Sequence, residues 1–194
     1  RPMSVSNMVS QSTLDREAEL DALESHVREA LRLARQAGAT DAEATAHSSL
    51  GLSVNVRLGE VETLEHMRDR GIGVTVFIGR RTGHASSADL SRASIESCVR
   101  HALDFARFTQ EDSCNGLAEP DLLEQSCPDL DLWHPAPMDA QIAIARALAC
   151  ENAGRDDARI SNSEGAAFDA GLGLAVYGNS NGFLGRSSGT NYGQ

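Results

Sequence analysis

One pentapeptide in this chain has the residue types of a hydrolase nucleophile. Gly178-Asn179-Ser180-Asn181-Gly182 fits Gly-x-Ser-x-Gly, the pattern that in α/β-hydrolases holds a serine on a strained strand-to-helix turn with its hydroxyl exposed. The flanking residues deny it that setting. Phe183-Leu184-Gly185-Arg186-Ser187 is no helix start, and no histidine follows Ser180 to serve as its base. An earlier run, Gly79 to Gly83, holds the same place in a similar stretch and contains no serine. The spacing therefore predicts a tight hairpin turn that uses Asn and Gly for positive φ.

Metal chemistry needs converging imidazoles, thiolates or carboxylates. The six histidines, His26, His47, His66, His84, His101 and His134, include no pair separated by three residues, so the helical His-x-x-x-His of zinc hydrolases is missing. His47, His66 and His84 fall in neighbouring strands, where convergence is open, yet no carboxylate or thiol stands at a ligand spacing. The four cysteines, Cys98, Cys114, Cys127 and Cys150, form no Cys-x-x-Cys pair. Cys98 and Cys150 read as small core residues on helix faces, and Cys114 and Cys127 as free thiols bracketing a loop. Glu60 and Glu62 share one face of a strand by its period of two, and read as a solvated edge that discourages sheet aggregation. Gly71-x-Gly73 and Gly171-x-Gly173 are pieces of a dinucleotide fingerprint, but each lacks the third glycine and leads into β-branched residues instead of a helix. The residues themselves thus nominate no catalytic, metal-binding or substrate-binding side chain.

Composition narrows the class. The chain has 194 residues and a net charge of −11, from 28 acidic against 17 basic side chains. Such a surface repels nucleic-acid phosphates, and an aromatic content of 4% leaves few rings for base stacking. No apolar run reaches the ~18 residues of a membrane span, and no basic-then-apolar leader opens the chain. A cytoplasmic protein is expected. The opening on Arg1 and the end in a Ser- and Gly-rich run read as a segment of a longer protein.

Positioning elements follow from periodicity. Residues 1–13 carry no pattern and are expected to be a flexible arm. A first helix spans about Leu14 to Ala37, with Leu20, Leu23, Val27, Leu31 and Ala34 on one face and Gly38 at its C-terminal cap. Leu50, Leu52, Val54, Val56 and Leu58 then alternate as a strand. Gly59-Glu60 turns into a second strand reaching Met67, Asp69-Arg70-Gly71 turns again, Ile72 to Ile78 is a third, and His84 to Ala88 a fourth. Ser91 caps a second helix whose stripe is Ile95, Cys98, Val99, Ala102, Leu103 and Ala106, with Leu90 and Ile95 as a hydrophobic staple. Thr109 to Pro137 is a long connection with a short helix near Asp121 to Gln125. A third helix, Asp139 to Asn152, puts Ile142, Ala145, Leu148 and Ala149 on one face, and strands close the chain.

These readings add up to an α+β fold of duplicated antiparallel β-meander units with packed helices. Residues 14–109 form a first unit of helix, four-stranded meander and helix; 110–137 are a linker; 138–194 are a second unit that continues into a C-terminal domain. The duplication is read from two glycine-punctuated segments, Gly71 to Ser87 and Gly171 to Gly185.

Several phrases, collinear over Asp41 to Gly189, resemble the N-terminal domain of the PmbA/TldD family. They are Gly51 to Glu62, Gly71 to Val76 with its sequel His84 to Ser91, Ala106-Arg107-Phe108-Thr109, Gly116-Leu117-Ala118, Asp129 to Leu132, and Arg159 to Gly165. Asn162-Ser163-Glu164-Gly165 and Asn179 to Phe183 match the PmbA (TldE) branch best. Ser113-Cys114 departs from the Pro-containing stretch expected after Asp112.

The resemblance implies a subunit of a cytoplasmic bacterial metalloprotease that matures peptides and degrades unfolded polypeptides, long called a modulator of DNA gyrase. Its zinc motif, His-Glu-x-x-x-His, belongs to TldD-like chains beyond this domain and is missing here, so no cofactor is assigned to this segment. The implied partner is a TldD-like subunit in a heterodimer, with a homo-oligomer as the other possibility, and the implied substrate is a peptide or unfolded protein. Whether the segment helps shape a substrate chamber or is a structural, partner-binding module without substrate contact stays open, as does action on gyrase itself.

Overall fold

A computed structural model describes residues 15–124, 127–136 and 139–194; the arm expected over residues 1–13 lies outside them. The elements are α1 (Arg16–Gln36), β1 (Asp41–Arg57), β2 (Glu60–Ile78), β3 (Arg81–Ser87), α2 (Arg92–Phe108), α3 (Ala140–Arg155), β4 (Ala166–Asn179) and β5 (Leu184–Gly193), with a 3-10 turn at Pro120–Leu122. All strands join one antiparallel sheet in the order β3-β2-β1-β4-β5. The fold is α+β.

β1 is the centre of the sheet, since its two edges take β2 and β4. The two glycine-rich segments are therefore the hairpins β2–β3 and β4–β5, which flank β1 on either side. The four-stranded meander expected before α2 contains three strands, because β2 runs unbroken through Asp69-Arg70-Gly71. Gly71 and Gly73 are not turn residues. A Cβ at Gly71 would lie 3.1 Å from His47 Cε1, and one at Gly73 would lie 3.1 Å from His84 Cε1; these glycines make room for imidazoles that lie across the strand.

The helices all cover one face. Ala42, Ala44 and Ala46 of β1 pack with α1 and α2 in one cluster, and Leu52, Val54 and Val56 of the same strand pack with Ala143 and Ala147 of α3 in another. These positions share one parity of a single strand, so both clusters lie on the same side of the sheet. The caps are as the sequence requires: Asp15 accepts from the Ala18 amide, Ser91 from Ser94, and Asp139 from Gln141. Leu90 and Ile95 both pack into the first cluster, and Gly38 ends α1 with φ of +95°.

α3 is turned from its expected orientation. Its buried stripe is Ala143, Ala147 and Glu151, while Ile142 is 46% exposed and Ala145, Ala149 and Cys150 face solvent. In an alanine-rich helix the bulky residues mark the phase poorly, and it is the small side chains that let α3 approach Leu52, Val54 and Phe168 closely. Cys98 is buried as expected; Cys114, Cys127 and Cys150 are exposed free thiols.

Candidate functional site

Ser180 sits in the β4–β5 hairpin, where it stitches the start of β1. Its hydroxyl accepts from the Ala42 amide at 3.1 Å and donates to Asp41 Oδ1 at 3.1 Å, while its own amide donates to the Ala42 carbonyl at 2.8 Å. Asn179, buried, accepts from the amides of Asn181 and Phe183 and so closes the turn that Gly182 completes with φ of +93°. These bonds hold Ser180 as a cross-strand brace, and no imidazole is among its partners.

His47 and His84 lie on the face of the sheet that, among the described residues, carries no helix, on β1 and β3, with β2 between them. His47 Nε2 is 3.3 Å from Asp69 Oδ2, and His84 Nδ1 is 3.2 Å from Thr75 Oγ1. His66 pairs with Leu52 and so points to the opposite face. The three strand histidines are not brought together. Among the described residues no group of three or more His, Cys, Asp or Glu side chains converges on a point, so they do not compose the donor set of a zinc site. Glu62 is the extra residue of a bulge in β2, 3.9 Å from Arg57, which breaks the period-two pairing with Glu60.

The best-built polar cluster involves a residue that the sequence reading passed over. Glu151 of α3 is only 4% exposed, and its carboxylate accepts from the amides of Leu58 at 2.6 Å and Gly59 at 2.8 Å. Those residues form the β1–β2 turn and both have positive φ, +52° and +86°. Burial works to raise the Glu151 carboxyl, but hydrogen bonds from Ser163 and the two turn amides, with Arg155 nearby, together hold it below the ordinary carboxylate value. Ser163 also accepts from the Gly165 amide, and its carbonyl accepts from Arg57. Gly165, at φ of +103°, passes so near β1 that a Cβ would stand 2.3 Å from the Val56 carbonyl oxygen. The phrase Asn162-Ser163-Glu164-Gly165 is thus a clamp on the tip of the β1–β2 hairpin. A legible signal existed: a glutamate four residues after Ala147, continuing the Ala143–Ala147 stripe.

Among the described residues the sheet leaves one long edge unpaired. β3 reaches only to the level of Ile72, so from Glu60 to Gly71 the described partner of the β2 backbone is β1. Val61, Leu64 and Met67 on this arm are exposed, interspersed with Glu60, Glu62, Glu65, Arg68, Asp69 and Arg70. The outer side of β5 differs: the Thr190 amide donates to the Leu132 carbonyl at 2.9 Å, and Tyr192 donates to the His134 carbonyl and accepts from the Ala136 amide. Residues 132–136 therefore line that edge at Thr190 and Tyr192. An edge such as β2's can add an extended strand through main-chain hydrogen bonds, whatever the sequence of the incoming chain.

Residues 42–106 match the family profile described as PmbA/TldA metallopeptidase domain 1. Over 174 residues, 89% of this chain, the sequence is 42% identical to the Metalloprotease PmbA homolog of Haemophilus influenzae, and over 170 residues, 87% of this chain, it is 44% identical to Metalloprotease PmbA of Escherichia coli O157:H7. The chain belongs to the PmbA/TldD family. It spans 38% and 37% of the length of those two relatives. The PmbA/TldD fold is seen again in solved structures. A Bacteroides thetaiotaomicron protein described as a candidate modulator of DNA gyrase superposes with a TM-score of 0.70 at 24% identity, over 87% of this chain and 39% of its own. TldE from Thermococcus kodakarensis gives 0.66 at 17%, over 87% and 37%.

Proposed function

We propose that this chain is the first domain of a PmbA/TldD-type metalloprotease subunit that takes part in peptide maturation and in degradation of unfolded polypeptides. The domain contributes the wall of a substrate chamber rather than catalytic residues, and a TldD-like partner supplies the zinc. The observation that carries this reading is the unpaired β2 edge, Glu60 to Gly71, in a chain 42–44% identical to proteins named as PmbA metalloproteases. A protease of unfolded chains needs to hold backbone without reading side chains, and a free strand edge does that. Residues 14–109 and 138–194 are the two parts of this domain, joined by residues 110–137, of which Leu132 accepts from the Thr190 amide of β5.

Direct action on gyrase-bound DNA is disfavoured by the net charge of −11. The setting proposed is cytoplasmic; among the described residues no helix is long and apolar enough to cross a membrane. The test is degradation of an unfolded peptide by the full-length protein with and without a TldD-like subunit, each with a chelator control. Activity is expected only with both subunits and without chelator. Chelator-insensitive cleavage by the full-length chain alone would overturn the reading.

A further inference from the structure

The face of the sheet opposite the helices is levelled by paired residues. Across it, Met67 folds over Gly51, Asn191 over Gly171, His47 over Gly71 and His84 over Gly73; each glycine leaves a notch in which a neighbour's longer side chain lies down. Gly173 has no atom within 4 Å of a would-be Cβ, so its notch is bare. The two Gly-x-Gly runs thus serve one purpose on either side of β1. They lower the relief of a single surface.

That surface is also uncharged for most of its width, in a chain whose net charge is −11. Between Glu43 and Arg57 the β1 side chains on this face are Thr45, His47, Ser49, Gly51, Ser53 and Asn55, and β4 adds Gly171, Gly173, Ala175 and Tyr177. Glu43 itself accepts a hydrogen bond from the Tyr177 hydroxyl at 2.7 Å. Carboxylates are therefore displaced to the rim, at Glu65, Asp69 and Asp169. Four or five strands ~4.8 Å apart and ~10 residues long at ~3.3 Å each give a footprint of roughly 600–800 Å², the scale of contacts between domains of one chain. An antiparallel sheet tolerates a solvated polar face; what sets this one apart is its flatness and its lack of charge, in a chain whose net charge is −11.

We infer that this face is the seat of the remainder of the PmbA-type polypeptide, the part that follows the first domain. The 194 residues span 37–38% of the curated relatives, so a length of chain larger than this domain is there to occupy it. The inference rests on family membership and is independent of any peptidase activity.

The experiment uses the full-length protein with Cys98, Cys114, Cys127 and Cys150 replaced by serine or alanine and one new thiol introduced, at Ser49→Cys or Ala175→Cys on the face, or at Glu96→Cys on the exposed side of α2. Maleimide labelling at Ser49→Cys and Ala175→Cys is expected to be at least tenfold slower than at Glu96→Cys in the native protein, and equal to it in urea. A photo-cross-linker attached to the new thiol of the Ser49→Cys variant, in a mixture of light and heavy-isotope protein, is expected to join residues of the same polypeptide beyond this domain. Equal native labelling at all positions would overturn the inference by leaving the face open, and light-to-heavy cross-links would overturn it by making a second copy the occupant. Should one cysteine variant not fold, as read by circular dichroism, the other gives the same answer.

Discussion

Gly83 of β3 lies against the backbone of α2 so closely that a Cβ placed on it would be 2.0 Å from the carbonyl oxygen of Ala102. The Ala106 amide nitrogen would be 2.5 Å away. Helix and strand backbones touch here because Gly83 has no side chain and α2 presents Ala102 and Ala106, with the Phe105 Cβ 3.0 Å from the same placed Cβ, and this contact holds α2 to the sheet beside Val76.

Gly83→Ala is therefore expected to cost on the order of 3 kcal/mol or more, since the atoms that must yield are main chain rather than a flexible side-chain tip. Gly154→Ala, on the exposed side of α3 with nothing within 4 Å and φ outside the left-handed region, is expected to match the parent or exceed it by up to about 1 kcal/mol. Urea denaturation of the two variants checks the contrast, and equal stability would show that α2 shifts freely.

Glu151 gives a pH prediction. Its carboxyl is held below the ordinary value of 4.5 in the folded chain, so the folded state binds its proton more weakly than the unfolded state does. The resulting stability is complete above the unfolded carboxylate's pKa and drains away as pH falls through the folded value. Glu151→Gln is expected to lower the melting temperature at pH 7 while flattening its decline below about pH 4.5. An acid limb as steep as the parent's would assign that decline to other carboxylates, such as Glu24, whose hydrogen bonds from Arg186 and then Arg28 also lower it.

Ser180→Ala is expected to remove about 1 kcal/mol of stability by releasing the Ala42 amide and Asp41, and to leave peptidase activity of the assembled full-length complex unchanged. Loss of turnover without loss of stability would return Ser180 to consideration as a nucleophile.

Arg186 of β5 reaches across to α1, where it pairs with Glu24 and with Asp21 at 2.8 Å. The group is a third exposed, so screening limits its worth to about 1 kcal/mol. Arg186→Met is expected to match the parent at 1 M salt and to fall below it at low salt, as followed by thermal melts.

Much of this fold was legible because its elements announce themselves by period. Leu20 to Ala34 repeats every three or four residues and Leu52 to Val56 every two, and both sets are buried as their spacing requires. The errors have one physical root, which is that glycine and alanine carry little directional information. Gly71 beside Asp69 and Arg70 looks like a turn, yet it is a notch for His47 in an unbroken strand. Ile142 looks like the core side of α3, yet Ala143 and Ala147 are, because the closest approach to a sheet is made by the smallest side chains. The Glu151 clamp was hidden for a different reason: its partners, Leu58, Gly59 and Ser163, are spread over a hundred residues of sequence and meet only once the sheet has formed.

The central place of β1 has a consequence for synthesis. Asp41–Arg57 gains its first neighbour as soon as β2 emerges, but its second, Ala166–Asn179, is translated more than a hundred residues later, a wait of roughly 5–25 s at ~5–20 residues per second. Throughout that interval the nascent chain presents the innermost strand of its future sheet as a bare edge, with Ala42 to Ala46 and Leu52 to Val56 half covered. Until β4 arrives, the growing chain carries at its surface the strand that becomes the middle of the finished sheet.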